Sequence, residues 1–472
     1  MKTNKTFKLL ALAVGLSLAG FAQASTAPLP KDLPAYGPEK PLPTPQIQQR
    51  TLPNGLTVWV VPREGLPKVD VELAVLGGSA ADDAATPAMS EMMARLLDEG
   101  TATRSSLQIA ETLRSIGGDY RTGAAADAVV IRASALASHA PELLALVADT
   151  ALHPSFPAKE VALAQANAMQ ELKVQESSPA WQAQRAFDHA AFGAHPYARD
   201  SLSEATVKAS DPAALRALHE ARFQPDRSLL VIVGRIGADQ AFRLASQQFG
   251  GWKSDSDALA KTPPAPREAS IERLIVPREG AVQTNIRYGR PAIPASNPDF
   301  IPLTVADTIL GGSFTSRIVQ DIREEKGYSY SPRSLFDAQR AGGSTLARVD
   351  VRNDVTGATL KELAKLYDGM ATRAPSEEEL TGAKRFVGGI YLLRNQIQGA
   401  LTATLAGYWV DGLPPDFLSG YVADANKVTA EQVQAMGRKY FASKDQSIVV
   451  VGDPKAIDAQ LKPFGAFKVY KP

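Results

Sequence analysis

In a chain without cysteine, metal binding and general-base chemistry fall to histidines and carboxylates, and there are only five histidines in 472 residues: His139, His153, His189, His195 and His219. The missing thiols exclude a disulfide framework, a thiolate nucleophile and any cysteine-ligated zinc or iron–sulfur centre. His189 and His195 stand six apart beside Asp188, a spacing that does not put both rings on one face of a regular helix. His139 has Glu142 three residues on, with Pro141 intervening, and His153 and His219 have no partner at ligand spacing. All five therefore read as structural. Lys plus Arg total 51 against 50 acids, a formal charge of +1, so no basic field is available to hold a nucleic-acid backbone.

The elements that must position any site begin behind an export signal. Lys2, Lys5 and Lys8 precede an apolar run from Leu9 to Phe21 and the small-residue site Ala22-Gln23-Ala24, so residues 1–24 read as a signal peptide cleaved after Ala24. The run is short of the ~20 residues a membrane span needs. Cleavage removes three lysines and no acid, leaving 448 residues with 48 bases against 50 acids. With no lipobox cysteine, the implied address is the periplasm, and no membrane span remains after cleavage. Residues 25–49 are proline-rich and read as an extended arm. A folded block follows, in which Asn54-Gly55 is a hairpin signal, Val69–Leu76 a strand, and Ala88–Leu97 and Leu107–Ile116 helical stretches. This order gives an α+β fold.

The chain is also duplicated. Phe223 and Phe441, and Gly234 and Gly452, are offset by the same 218 positions and bracket similar apolar runs. The proline-rich stretch 253–270 separates the copies as a linker, giving domains at 50–252 and 271–472.

The motifs Leu52-Pro53-Asn54-Gly55-Leu56, Leu97-Asp98-Glu99-Gly100-Thr101, His153-Pro154-Ser155-Phe156-Pro157, Phe192-Gly193-Ala194-His195-Pro196-Tyr197 and Arg323-Glu324-Glu325-Lys326-Gly327-Tyr328-Ser329-Tyr330 carry a resemblance. In this order and at these separations the chain, from Thr51 to Tyr470, resembles the insulinase/pitrilysin zinc peptidases, the inverzincins, and among them the bacterial relatives of the mitochondrial processing peptidase. The resemblance implies two homologous domains, each a mostly antiparallel sheet packed with helices. It also implies H-x-x-E-H on a helix, two histidines for zinc and a glutamate as base, with a later glutamate completing the site. Those positions here hold Glu91, Met92, Met93, Ala94 and Arg95, and the later glutamate is Glu171. Arg95 then either stands in for the cation, with Glu171 opposite and Glu91 at i−4, or all three groups point into solvent. No cofactor is implied for this chain.

In active relatives an arginine followed seven residues later by a tyrosine reaches toward the zinc site, and Arg323 and Tyr330 meet that spacing. They are donors suited to a substrate carbonyl and its oxyanion. Taken apart from the family, Arg323 is a helix-end cation and Tyr330 a half-buried residue in a strand 328–331. The resemblance is strongest to the non-catalytic member of a heterodimeric peptidase. Its H-x-x-E-H partner would carry the zinc, the substrates would be unfolded peptides, and backbone pairing at a sheet edge would hold them. The other implied readings are a structural or peptide-binding protein with no proteolytic role and a peptidase active alone through an unrecognised metal site.

Overall fold

Asn54-Gly55 makes the turn its chemistry implies. Gly55 adopts φ +94°, where a side chain would be strained, and the turn joins strands β1 (Gln48–Thr51) and β2 (Thr57–Pro62) in antiparallel register. The computed structural model describes residues 45–471 except Asp200, Asp255, Ser256 and Ala269. The signal peptide and most of the arm lie outside the described residues. The end of the arm needs correction, because Gln48 and Gln49 already belong to β1.

Strands β3 (Lys68–Leu76), β4 (Asp119–Ala124), β5 (Ala128–Leu136) and β6 (Ser228–Gly234) complete a first sheet, ordered β1-β2-β6-β3-β5-β4. The second contains β7 (Arg273–Pro277), β8 (Gln283–Ala292), β9 (Arg333–Ala338), β10 (Gly343–Arg352), β11 (Ser447–Gly452) and β12 (Lys468–Val469), ordered β12-β7-β11-β8-β10-β9. Five of the six strands correspond one to one, with β6 and β11 parallel to their neighbours β2 and β7 and antiparallel to β3 and β8. Only the outermost strand differs, supplied from the N-terminal side in one sheet and from the C-terminus in the other. Both are α+β layers of the duplicated kind the sequence implies.

The helices that position the sites are α1 (Met89–Ala94), α2 (Ala140–Leu152), α3 (Ala158–Ser177), α4 (Pro179–Phe192), α5 (Ala238–Phe249), α6 (Thr356–Thr372), α7 (Glu377–Gln396) and α8 (Gln398–Val410). Strands β6 and β11 are apolar without alternation and buried throughout, the pattern of a strand covered on both faces. Each sheet has one face on helices of its own half. Val58, Val60, Leu230 and Ile232 join the core with α1, α2 and α5, while Ile275, Ile448 and Val450 join the core with α6. The alternate residues face helices exchanged between the halves. Helix α4 lays Ala183, Ala186 and Phe187 against Leu274, Val276, Val449 and Val451 of the second sheet, and α8 lays Leu401 and Leu405 against Trp59, Leu229, Val231 and Val233 of the first.

Polar contacts reinforce this exchange. Gln398 Nε2 donates to Asp70 Oδ2 at 2.6 Å, and the Tyr197 hydroxyl donates to the Asp127 carboxylate while accepting the Ala341 N–H at 2.9 Å. Residues from Pro45 onward consequently pack as one compact unit. The described part of the linker has neither helix nor strand, yet it is anchored: Ala265 is buried and its N–H donates to Ala341 O at 2.9 Å. No described helix is long and apolar enough to cross a membrane.

Candidate functional site

Helix α1 buries Met92, Met93 and Ala94 in the core of the first half, which leaves Glu91 and Arg95, one turn apart, at its partly exposed edge. Helix α3 brings Glu171 to the same place. Arg95 Nη2 donates to Glu91 Oε1 and Nη1 to Glu171 Oε2, both at 2.6 Å. Of the two possibilities open in the sequence, the closed clasp is the one observed. Burial is the largest single influence on the guanidinium and opposes its charge, but the bonds to Glu171 and Glu91 outweigh it and hold its pKa above the usual range. Arg95 and Glu171 line a hollow shared with Glu99 and Glu160. The Glu99 carboxyl is pushed up by burial and by repulsion from Asp98 and Glu160, so carboxylates dominate the surroundings of the one cation.

Zinc does not fit this arrangement. The two carboxylates present, Glu91 at a histidine position and Glu171 at the later glutamate position, are both bound to a guanidinium that stays charged, the place of the base is the fully buried methyl of Ala94, and neither imidazole is present. The histidines have other roles. His219 lies buried, Nε2 within 2.8 Å of Ala151 O and its ring stacked on Phe223, and burial pushes its pKa down to about 4. His195 Nε2 lies 2.8 Å from Pro263 O in the linker, His189 stacks on Tyr470, and His139 lies 3.4 Å from Glu142. Among the described residues no group of three or more histidines and carboxylates is placed to hold a metal ion.

Arg323 lies on a π-helical segment, Val319–Glu325. Gly327 ends it at φ +61°, and the Tyr328 N–H closes it onto Ile322 O at 2.9 Å. Arg317 anchors the segment through paired bonds to Glu379 at 2.7 and 3.1 Å, and Glu379 also takes the Ser376 N–H in the capping box that starts α7. The expected strand over 328–331 is not formed. The Ser329 hydroxyl turns inward to Asp350 O at 2.7 Å, Pro332 has no N–H to offer a ladder, and β9 starts only at Arg333. Tyr330 is therefore 82% exposed rather than half-buried.

The Arg323–Tyr330 pair is nonetheless brought together, the guanidinium carbon lying 5.0 Å from the ring centroid. A second ring, Phe314, lies 5.7 Å away. Sequence reasoning passed over Phe314, although a large apolar residue inside Gly311-Gly312-Ser313-Phe314-Thr315-Ser316 has no periodic neighbours to bury it. Glu324 Oε1 lies 3.2 Å from Arg323 Nε, and among the described residues the two terminal nitrogens take no hydrogen bond.

The duplicated α+β chain thus carries a carboxylate-clasped arginine at one site and an exposed Arg–Tyr pair at the other. Two sequence models of one family match it: insulinase (peptidase family M16) over residues 59–204 and the peptidase M16 inactive domain over residues 211–387. The chain belongs to this insulinase family, on the branch lacking H-x-x-E-H. It is 24% identical to an uncharacterized zinc protease of Mycobacterium tuberculosis, over 91% of this chain and 99% of that one. It is 21% identical to a non-peptidase homolog of Helicobacter pylori, over 83% and 90%. In fold it resembles the crystal structure of a peptidase M16 inactive domain from Pseudomonas fluorescens, with a TM-score of 0.80 and 24% identity over 86% of this chain and 98% of that one. A protease structure from Helicobacter pylori gives a TM-score of 0.82 at 17% identity, covering 86% and 100%.

Proposed function

We propose that the chain is the non-catalytic subunit of a periplasmic heterodimeric zinc metallopeptidase. An H-x-x-E-H partner supplies the zinc, and this chain supplies substrate binding and closes a chamber around unfolded peptides. The observation that carries this reading is the contrast between the two sites. The former metal position is closed by Arg95, Glu91 and Glu171, whereas Arg323 keeps its terminal donors open beside the exposed Tyr330 hydroxyl. A site retained only as scaffold has no need of that exposure. The open edges of β4 and β9 offer N–H and C=O groups to an extended backbone, a grip on the main chain that does not depend on side-chain identity. The Arg323 and Tyr330 donors then meet a substrate carbonyl and its oxyanion.

Steady-state kinetics of the reconstituted pair test the reading. Tyr330→Phe is expected to lower kcat about 10-fold with a smaller change in KM, because an oxyanion donor acts mainly in the transition state. Arg323→Ala is expected to raise KM as well. Unchanged kcat and KM in the double variant contradict the roles given to Arg323 and Tyr330 and reduce the pair to scaffolding.

A further inference from the structure

The three most exposed large apolar side chains among the described residues are Tyr330 at 82%, Val282 at 81% and Phe314 at 75%. Scattered exposed apolar groups are ordinary on a protein surface, but Phe314 and Tyr330 are not scattered. Phe314 and Tyr330 both present rings to Arg323. Tyr330 also lines a cleft with Ser329, Asp350, Arg352 and Gln283, the residue that follows Val282.

The acidic and basic groups of the cleft are largely matched within the protein. Asp350 accepts from Asn285 Nδ2 at 2.6 Å and faces Arg287 at 3.6 Å, while Arg352 is paired with Asp354 at 3.3 Å. What remains unmatched at the rim is the outer end of Arg323 and the apolar faces around it. An occupant that satisfies both carries a hydrogen-bond acceptor next to a bulky apolar group. Pure hydrocarbon leaves the guanidinium donors unmet, and a bare anion leaves the rings uncovered. A backbone carbonyl adjacent to an aromatic or branched aliphatic side chain meets both requirements.

We infer that Phe314 and Tyr330, the two rings at Arg323, form a subsite for a bulky apolar side chain of an extended peptide, beside the carbonyl taken by Arg323, with Phe314 its specificity-determining residue. The inference rests on the peptide-holding reading above and adds the class of peptide. Because Phe314 is exposed and lies in an irregular loop, its truncation leaves the fold intact, which an unchanged Tm verifies.

The test is fluorescence anisotropy of the purified full chain with two labelled unfolded peptides, identical except that three phenylalanines in one are serines in the other. Wild type is expected to bind the phenylalanine peptide about 10-fold more tightly, the scale of burying one large apolar side chain. Phe314→Ala is expected to shrink that preference to about 3-fold or less without altering the serine-peptide Kd, as follows from losing one of the two apolar walls. Leu66→Ala, a truncation of a comparably exposed side chain in the first half, is expected to change neither Kd. A preference that survives Phe314→Ala intact overturns the subsite while leaving the peptide-holding reading standing. Wild type that binds neither peptide overturns that reading and the subsite with it.

Discussion

Arginine at the position of a zinc ligand brings a positive charge but not the metal's chemistry, since a guanidinium clasped by two carboxylates has no open coordination position and does not acidify a bound water. The substitution is testable by reversal. In the double variant Glu91→His/Arg95→His, the two imidazoles and Glu171 form a His-His-Glu set, so equilibrium dialysis with elemental analysis is expected to find about one zinc per chain. No hydrolysis is expected, because Ala94 still stands where a base is needed. Absence of zinc uptake in the folded variant contradicts the equivalence of these positions to the family's ligands.

A second residue-scale prediction concerns Asp307, fully buried in the second half, where burial pushes its carboxyl up to about 7. The folded state then keeps a proton that the unfolded chain releases near pH 4, so the Asp307 contribution to stability is lost as pH rises from about 4 to 7. His219, depressed to about 4, acts in the opposite sense over a similar interval. The informative quantity is therefore the difference between wild type and Asp307→Asn. Relative to wild type, the variant is expected to gain Tm progressively from pH 4 to 7, and a pH-independent difference contradicts the buried-proton account.

At the scale of elements, the central device is the exchange of α4 and α8 between the halves. Truncating Phe187 or Leu405, each buried against the other half's sheet, is expected to cost about 2–5 kcal/mol in urea unfolding. Because each helix belongs to one half by sequence and to the other by packing, both variants are expected to lower the stability of the two halves together in a single transition. Two separate transitions contradict this. The sequence made part of the sheets readable: Asn54-Gly55 and the residues of strand character beside it marked β2, the run Val69–Leu76 marked β3, and the repeat at 218 positions matched β6 with β11, while Gln48 and Gln49 of β1 read as part of the arm. It did not show the exchange, since an unbroken apolar run such as Leu229–Val233 says that both faces are covered and not by what. It also suggested a strand at 328–331, where the inward turn of Ser329 and Pro332 prevail over the alternation. The i−4 spacing made the Glu91–Arg95 contact legible, but Glu171, 76 residues further on, needed the family pattern, and Phe314 needed the fold.

Taken whole, the molecule has two equivalent halves locked together, one closed site and one open one. The most direct measurement is the peptidase activity of this chain co-expressed with an H-x-x-E-H member of the same family, followed through size-exclusion chromatography. The account predicts co-elution as a one-to-one complex at micromolar concentration, with hydrolysis of an unfolded peptide by the complex and none by this chain alone. Separate elution of the two chains, or a partner as active without this chain as with it, would contradict the account.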